Sequence, residues 1–263
     1  MSLAIDFLGH AALRIELDGT SLLTDPAIRS RIGPLRRAAP EPSPDRLAGV
    51  GAVVISHLHW DHLDLPSLQR LPAGVPIVVP TGAGAWLRAQ GFPDVRELSA
   101  GGSLTVGAVR IEAVEAAHSG FRPPRGPTAP ALGYLLSGRH RTVFFAGDTD
   151  LFDEMTTIGR AHDLDVALIP VWGWGPTLGR GRHLDPVSAA TAVARLRPRL
   201  AVPIHWGTYW PHALGRVRPA LLVEPPAAFA EAVADAAPAV RVRVTEVGSA
   251  VDLTGLPDEP GAE

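Results

Sequence analysis

The run His57-Leu58-His59-Trp60-Asp61-His62 constrains this chain more than any other feature, because it places four metal-type ligands within six positions. Histidine and aspartate supply the nitrogen and oxygen donors that suit Zn²⁺ and, to a lesser degree, Mn²⁺ or Fe. The run follows the apolar, β-branched stretch Val53-Val54-Ile55, which predicts a buried strand. We therefore expect the ligands in a loop at the carboxyl end of a strand, where α/β layers usually place their chemistry.

Composition narrows the class of protein. A chain of 263 residues, 46% of them hydrophobic, can bury a sizeable core. Cysteine is absent, which excludes disulfides, thiolate zinc sites and thiol nucleophiles. The net charge of −3 has no long run of one sign, so a nucleic-acid partner is not expected. The sequence shows no signal peptide and no apolar stretch of membrane-spanning length, so the expectation is a cytoplasmic protein of undetermined oligomeric state.

Short strand and helix patterns alternate along almost the whole chain. This pattern predicts one domain over residues 1–255 and a frayed tail rich in Pro, Gly and acidic residues over 256–263. The stretch from Pro26 to Pro44 is predicted to be a long loop. Strands are predicted at Leu3–Phe7, Ala12–Leu17, Ser21–Thr24, 52–56, Ile77–Val79, Leu104–Val106, Ala108–Ala113, Gly133–Leu136, Thr142–Ala146, Val166–Val171, Leu200–Ile204 and Val240–Val247. Helices are predicted near Leu65–Leu71 and at Gly82–Gln90, 151–160, Pro186–Leu196 and Pro225–Ala236.

One loop cannot complete a tetrahedral metal site with good geometry, so distant ligands should follow other strands. Three residues meet this condition, namely His118, Asp148 and His205. Gly147, directly before Asp148, would allow the backbone to approach the site closely. Taken alone, a histidine or aspartate at a strand end is more often a cap or turn residue than a ligand. As a set that completes the first motif, they indicate a metal centre.

These motifs together resemble the metallo-β-lactamase superfamily: His57-x-His59-x-Asp61-His62, His118, Gly147-Asp148-Thr149 and His205. The resemblance implies an α/β fold, a four-layer αββα sandwich of two mixed β-sheets flanked by helices. It also implies a dinuclear zinc site at one edge, with Mn²⁺ or Fe as alternatives. By the same resemblance, His57, His59 and His118 bind one metal, Asp61, His62 and His205 bind the other, and Asp148 bridges both.

A longer series of motifs resembles one branch of this superfamily: Leu8-Gly9-His10-Ala11, Leu23-Thr24-Asp25-Pro26, Ile55-Ser56-His57, His183-Leu184-Asp185-Pro186 and Ile204-His205-Trp206-Gly207-Thr208. The branch contains ascorbate-6-phosphate lactonase-like hydrolases and N-acyl-phosphatidylethanolamine-hydrolysing phospholipase D. Zinc β-lactamases lack the bridging aspartate, and many use a cysteine ligand. The presence of Asp148 and the absence of cysteine therefore argue against antibiotic hydrolysis.

The resemblance implies a hydrolase that uses a metal-bridging hydroxide on a small phosphate-bearing ester, phosphodiester or lactone. The predicted catalytic residues are Asp61, Asp148, which would orient the nucleophile, and His183. His183 precedes a predicted helix and is interpreted as a general acid, a substrate contact or a histidine near a helix cap. Two alternatives remain: phospholipase D-like cleavage of a lipid phosphodiester, which predicts an exposed apolar rim, and a non-catalytic metal-binding protein.

Further residues are expected around the metals. Asp25 is expected to hydrogen-bond the distal N–H of a ligand histidine, and His10 to contact substrate or support the site. Asp64 is predicted to cap a helix or accept a hydrogen bond. Arginines and aromatic residues in the adjoining loops would grip a phosphate or line the pocket, unless they are solvated or pack the loops, and these are Arg122, Arg125, Trp172, Trp174, Arg180, Arg182, Tyr209 and Trp210. The remaining histidines, His140, His162 and His212, are predicted at the surface.

Overall fold

The computed structural model describes residues 3–173, 182–212 and 219–257. The first part of the chain forms eight strands, β1 (Leu3–Gly9), β2 (Ala12–Leu17), β3 (Thr20–Thr24), β4 (Arg31–Ile32), β5 (Leu35–Arg37), β6 (Ala52–Val54), β7 (Ile77–Pro80) and β8 (Val95–Leu98). Between them lie a 3-10 turn at Pro44–Leu47 and two short helices, α1 (Leu65–Leu68) and α2 (Gly84–Ala89).

The second part of the chain also alternates strands with helices, and its helices are longer. Its strands are β9 (Ser103–Val106), β10 (Val109–Glu115), β11 (Leu132–Ser137), β12 (Thr142–Phe145), β13 (Val166–Pro170), β14 (Leu200–Ile204), β15 (Tyr209–Pro211), β16 (Arg241–Val242) and β17 (Ser249–Ala250). Its helices are α3 (Glu154–Ala161), α4 (Pro186–Leu196) and α5 (Pro225–Ala236), with a 3-10 turn at Pro219–Leu222. Pro186 and Pro225 each open their helix, where a missing N–H costs nothing.

Two seven-stranded sheets form the body of the described structure. Their strand orders are β17-β1-β2-β3-β6-β7-β8 and β16-β14-β13-β12-β11-β10-β9. In the first sheet, β1, β2 and β3 pair antiparallel, whereas β3, β6, β7 and β8 pair parallel. The second sheet is also mixed, since β9 to β12 are antiparallel and β12, β13, β14 and β16 are parallel.

The two sheets pack face to face around one apolar core. Phe7 and Ile15 of the first sheet and Tyr134 and Phe145 of the second are fully buried in the same cluster. Helices α1 and α2 cover the outer face of the first sheet, and α3, α4 and α5 cover the second. The predicted four-layer αββα sandwich is therefore confirmed, since each sheet buries one face against the other and one against helices. No helix among the described residues is long and apolar enough to cross a membrane.

A small third sheet corrects the predicted loop from Pro26 to Pro44. Strands β4 and β5 form a hairpin there, and β5 pairs antiparallel with β15, with Leu35 opposite Pro211. Strands of two or three residues are too short to show a period in the sequence, so the hairpin could not be predicted from alternation.

Other boundaries also differ from the predicted ones. Strand β8 was not predicted, because Arg96 and Glu97 interrupt its apolar pattern. The predicted strand Val240–Val247 is reduced to Arg241–Val242, and the predicted helix 151–160 begins only at Glu154. Leu256, in the predicted tail, packs against the core, and residues 258–263 lie outside the described part of the chain.

The topology places several strand ends at one edge of the sandwich. Parallel strands share a direction, so β3 and β6 of one sheet and β12 and β14 of the other deliver the loops that follow them to the same side. Gly147, after β12, adopts φ +60°, and a Cβ there would lie 2.4 Å from the Cβ of Ser56. A glycine is required where the two sheets approach this closely, as the sequence predicted.

Candidate metal centre

Three histidines from two loops converge at this edge. The loop after β6 supplies His57 and His59, and the segment after β10 supplies His118. His57 Nε2 lies 2.9 Å from His59 Nδ1, which lies 3.2 Å from His118 Nε2. Zinc–nitrogen bonds of about 2.0–2.1 Å place tetrahedral ligand atoms about 3.3 Å apart. The three nitrogens are therefore close to the spacing of ligands on one metal ion.

A second group lies directly beside the first. Asp61 Oδ2 is 3.9 Å from both His62 Nε2 and His205 Nε2. Asp148 lies across from it, with Oδ2 3.2 Å from His62 Nε2 and Oδ1 3.2 Å from His205 Nε2. Ligand atoms of Asp148 and His118 also approach within 4.8 Å, so this carboxylate adjoins both groups. All seven residues predicted as metal ligands are thus brought together.

The distal ring nitrogens fix how three of these histidines are protonated. His62 Nδ1 lies 2.7 Å from Asp25 Oδ2. His118 Nδ1 lies 2.7 Å from the carbonyl of Arg182, and His205 Nδ1 lies 2.6 Å from that of Trp172. Carbonyl and carboxylate oxygens only accept, so each Nδ1 carries the proton and each Nε2 turns a lone pair towards the cluster. Metal ligation requires this tautomer.

One carboxylate organises two of these rings. Asp25 accepts from the backbone N–H of Ser56 at 2.7 Å and from its hydroxyl at 2.5 Å. Because that hydroxyl proton is given to Asp25, Ser56 Oγ accepts from His57 Nδ1, 3.0 Å away. Asp25 thus orients His62 directly, as expected from the sequence, and His57 through Ser56. The role of Ser56 was not predicted, although the residue lies inside the motif Ile55-Ser56-His57.

The donor set fits divalent metal ions. His62 Nε2 and Asp148 Oδ1 are buried and make no hydrogen bond, and the polar atoms 3.2 Å from them belong to the same ligand cluster, so a shared cation would compensate their burial. Nitrogen and carboxylate donors without sulfur suit Zn²⁺, Mn²⁺ or Fe. Two carboxylates among seven ligands also supply the negative charge that two adjacent cations need.

Electrostatics keep three of the predicted ligand histidines neutral and make the position of His62 attractive to positive charge. Burial lowers the pKa of His118 to about 4, and it also lowers the pKa of His57 and of His59, so these ligands are neutral near pH 7. Burial raises the pKa of Asp148, but His205 and His62 outweigh it and hold that pKa well below its ordinary value. Burial lowers the pKa of His62, whereas Asp148, Asp61 and Asp25 together raise it well above the ordinary value. The three carboxylates therefore draw positive charge to this position, as they would draw a cation.

His10 and His183 each contact a carboxylate of the cluster. His10 is buried, its Nε2 lies 3.1 Å from Asp61 Oδ2, and its ring centroid lies 3.8 Å from that of His205. This position favours support of the site over substrate contact. His183 Nε2 lies 3.2 Å from Asp148 Oδ2, and the side chain borders an open cavity.

That cavity lies over the metal-ligand cluster. Its volume is about 330 Å³, close to the lower limit of about 300 Å³ for small-molecule pockets. Ligand residues form its floor and apolar residues form its rim. The lining residues are Pro34, Leu35, His59, Trp60, Asp61, Pro123, Asp148 and His183.

Several residues that the sequence assigned to the substrate have other contacts. The guanidinium of Arg122 donates to the carbonyls of Leu58 and Leu63, each at 2.8 Å, and therefore braces the ligand loop instead of facing the cavity. Tyr209 is buried, and its hydroxyl donates to the carbonyls of Ala27 and Arg29.

The predicted role of Trp172 in lining the pocket is corrected in the same way. The ring of Trp172 is buried and stacks on Trp210 at a centroid distance of 5.6 Å, so it packs the loop, while its carbonyl orients His205. Arg125 and Arg182 are exposed, and neither lines the cavity. Trp174 and Arg180 lie outside the described residues.

Asp64 caps a helix as predicted, and two of the three remaining histidines lie at the surface. Asp64 caps α1, where its side chain accepts from the Ser67 N–H, and it also binds Arg29 at 2.6 and 2.8 Å. His140 and His212 are exposed, and His162 is half-buried at the end of α3.

Comparisons with known proteins agree with this geometry. The model of the beta-lactamase superfamily domain matches residues 20–206. An uncharacterized protein of Mycobacterium tuberculosis is 35% identical over 263 residues, covering 94% of this chain and 69% of that protein. A UPF0173 metal-dependent hydrolase of Methanopyrus kandleri is 32% identical over 211 residues, covering 79% of this chain and 85% of the relative. Igni18, a metallo hydrolase of Ignicoccus hospitalis, has a TM-score of 0.73 at 25% identity and covers 95% of this chain and 98% of its own.

The αββα sandwich and its histidine–aspartate cluster define a metal-dependent hydrolase. The chain belongs to the metallo-β-lactamase superfamily and, within it, to the UPF0173 metal-dependent hydrolase family. A possible metal-dependent hydrolase of Veillonella parvula, with a TM-score of 0.74 and 20% identity, shares the fold.

Proposed function

We propose that this hydrolase holds two zinc ions and cleaves a small ester, lactone or phosphodiester. His57, His59 and His118 would hold one ion, and Asp61, His62 and His205 the other, with Asp148 between them. The observation that carries the proposal is the convergence of imidazole lone pairs with the unpartnered Asp148 Oδ1 beneath a cavity. The resemblance to lactonase-like and phospholipase D-like hydrolases agrees with this chemistry.

A pair of divalent ions supplies an activated water molecule and polarises the bond that is cleaved. The chain contributes orientation, because Asp25 and the carbonyls of Arg182 and Trp172 hold the ligand rings in one tautomer. Asp148 and Asp61 border the cavity and remain ionised, so each can accept a hydrogen bond from a water molecule at the cavity floor.

His183 is the proposed proton donor to the leaving group. Its Nε2 lies beside Asp148, and its side chain lines the cavity above the ligands. Imidazole is the side chain that most often moves protons near neutral pH. A donor in this position would protonate the departing alcohol as the acyl or phosphoryl bond breaks.

Metal analysis and kinetics test the proposal together. The wild-type protein should retain close to two zinc equivalents after purification and should hydrolyse 4-nitrophenyl acetate, a γ-lactone or bis(4-nitrophenyl) phosphate. Asp148→Ala should lose both metal and turnover. His212→Ala, a change of an exposed histidine outside the cavity, should retain both. A metal-free protein that keeps full activity would falsify the proposal.

The proposed general-acid role of His183 requires a separate measurement. His183→Gln should retain metal and lower kcat about a hundredfold or more on alkyl esters, whose leaving groups are poor. The loss should be much smaller on nitrophenyl esters, because a nitrophenolate departs without a proton. An equal loss on both classes would remove the general-acid role and leave the hydrolase proposal standing.

One observation favours a second candidate function, the cleavage of a lipid phosphodiester. This function predicts an exposed apolar rim, and Trp60 and Pro34 are exposed apolar residues at the cavity. Hydrolysis of phospholipid vesicles in preference to water-soluble esters would support it. Stable binding of two metals without turnover on any of these compounds would support the non-catalytic alternative.

A further inference from the structure

Three segments contribute the apolar lining of the cavity, which we call its rim. Trp60, between the predicted ligands His59 and Asp61, is a large apolar side chain that is 37% exposed. The β4–β5 hairpin contributes Pro34 and Leu35, and the loop after His118 contributes Pro123. The floor by contrast consists of the polar ligands and His183.

Contacts with the rest of the fold hold the rim in place. A Cβ on Gly33 would lie 2.8 Å from Cε3 of Trp60, so the indole ring rests against the hairpin turn with no room for a side chain between them. Leu35 packs on the buried cluster around Tyr209, and β5 pairs with β15, which follows His205. Trp60 and Pro123 lie in loops that also carry predicted ligands, and the hairpin is joined by strand pairing to the segment after His205, so the rim is attached to the ligand cluster.

The described lining contains no arginine that could bind a separate phosphate. Arg122, expected in that role, donates to two backbone carbonyls, and its guanidinium lies 5.0 Å from the Trp86 ring centroid. Arg29 is bound bidentately to Asp64. A charged group remote from the scissile bond would have to give up water for proline and tryptophan surfaces, which is unfavourable.

We propose that the apolar rim formed by Trp60, Pro34, Leu35 and Pro123 determines specificity and takes a compact alkyl or aryl group of an otherwise neutral ester or lactone. The inference rests on the proposed function, because the scissile carbonyl must reach the cavity floor. A volume of about 330 Å³ limits the group to a short chain or a single ring and excludes a long acyl chain in full contact.

The test uses the zinc-loaded protein and 4-nitrophenyl esters of increasing acyl length. From acetate through butyrate to hexanoate, kcat/KM should rise about twofold to fourfold per methylene, as expected for partial burial of each added group. Beyond hexanoate the increase should stop, because the cavity is filled. Dispersed phosphatidylcholine vesicles should be neither bound nor hydrolysed.

Variants assign the preference to the rim. Trp60→Ala should lower kcat/KM for the hexanoate about tenfold and for the acetate less than threefold, with zinc content unchanged. Leu35→Ala changes the rim outside the ligand loop and should shift the same ratio in the same direction. Phe121→Ala is the matched control, since this aromatic residue is 41% exposed and does not line the cavity. It should leave the ratio unchanged.

The outcomes separate this inference from the proposed function. No hydrolysis of any ester, lactone or diester by the zinc-loaded protein would overturn the proposed function. Hydrolysis with a flat dependence on chain length, or an unchanged ratio in both rim variants, would overturn only the inference. A rate that keeps rising to dodecanoate, or turnover on vesicles, would also overturn it in favour of a lipid substrate.

Discussion

The two halves of the metal centre use similar ligands but are built differently. We call Asp61, His62 and His205 the inner half, and His57, His59 and His118 the outer half. His62 and His205 of the inner half have no exposed side-chain surface, and neither has His57 of the outer half. The other two outer histidines, His59 and His118, are partly buried, as is Asp61 of the inner half. His59 and Asp61 both line the cavity, so the clearest contrast is between the buried pair His62 and His205 and the partly exposed pair His59 and His118.

Backbone conformation separates the halves further. His205, the neighbouring His10, and Asp25, which orients His62, all have positive φ, at 62°, 59° and 32°. Such conformations cost about 1–3 kcal/mol each in residues other than glycine and persist only where the surroundings impose them. Here the surroundings do so, because the His205 N–H donates to the His10 carbonyl, and the His10 N–H donates to Thr208 Oγ1.

The difference teaches that His62 and His205 are part of the fold, whereas His59 and His118 are attached to it. Removing His62 or His205 should therefore damage stability and chemistry together. Removing His59 or His118 should damage chemistry with little effect on stability. The predictions below test this contrast.

Asp148 should give the largest effect, because it adjoins both halves. Asp148→Asn keeps the shape but removes the negative charge, so we expect loss of metal from both positions and a fall in kcat/KM of about a thousandfold or more. Mass-spectrometric metal analysis and ester hydrolysis measure the two effects. Asp64→Asn, at a buried carboxylate of α1 outside the cluster, is the control and should retain two metals. Retention of one full metal equivalent in Asp148→Asn would show that the halves are independent.

The halves themselves are compared by stability of the metal-free protein. His205→Ala should lower the free energy of unfolding by about 2–4 kcal/mol, because it opens a cavity and leaves the Trp172 carbonyl without its donor. His118→Ala should lower it by less than about 1 kcal/mol, since this side chain is partly exposed. Denaturant unfolding in the presence of chelator gives both values. Equal losses would remove the distinction between the halves.

The sequence predicted which residues of both halves come together, but not the difference between the halves. These residues could be found because each group follows an apolar strand, and parallel strands bring their carboxyl ends to one edge. Strain at His205 could not be found, because positive φ in a residue other than glycine leaves no pattern in the sequence.

The surroundings of the centre were predicted less well than its ligands. The β4–β5 hairpin is too short for periodicity, so the rim that it carries with Trp60 was missed. Arg122 was assigned to substrate because an arginine in a loop near a site suggests anion binding. Its actual acceptors are backbone carbonyls, which every residue has and which therefore give no sequence signal.

Asp25 should give an intermediate effect that is confined mainly to the inner half. Asp25→Asn can present an amide N–H to His62 Nδ1 and so favour the wrong tautomer, which weakens the ligand. We expect metal affinity to fall about tenfold to a hundredfold for one of the two ions, measured by competition with a chromophoric chelator. Asp25→Glu, which keeps the charge but lengthens the side chain, should recover affinity only in part. An equal loss for both ions would assign Asp25 to the whole centre through Ser56.

Replacement of Arg122 should give the smallest effect. The guanidinium of Arg122 braces the loop after β6, which carries predicted ligands of both halves. Arg122→Met preserves much of the packing on Trp86 but leaves the Leu58 and Leu63 carbonyls without their donor, at a cost of about 1–3 kcal/mol in unfolding free energy. Arg125→Met changes an exposed arginine three residues after Arg122 and should lower the free energy of unfolding by less than about 0.5 kcal/mol. Metal should stabilise the Arg122 variant more than the wild type, because bound ligands would replace the lost brace. If both variants behave like the wild type, the loop is held by its ligands and strand alone.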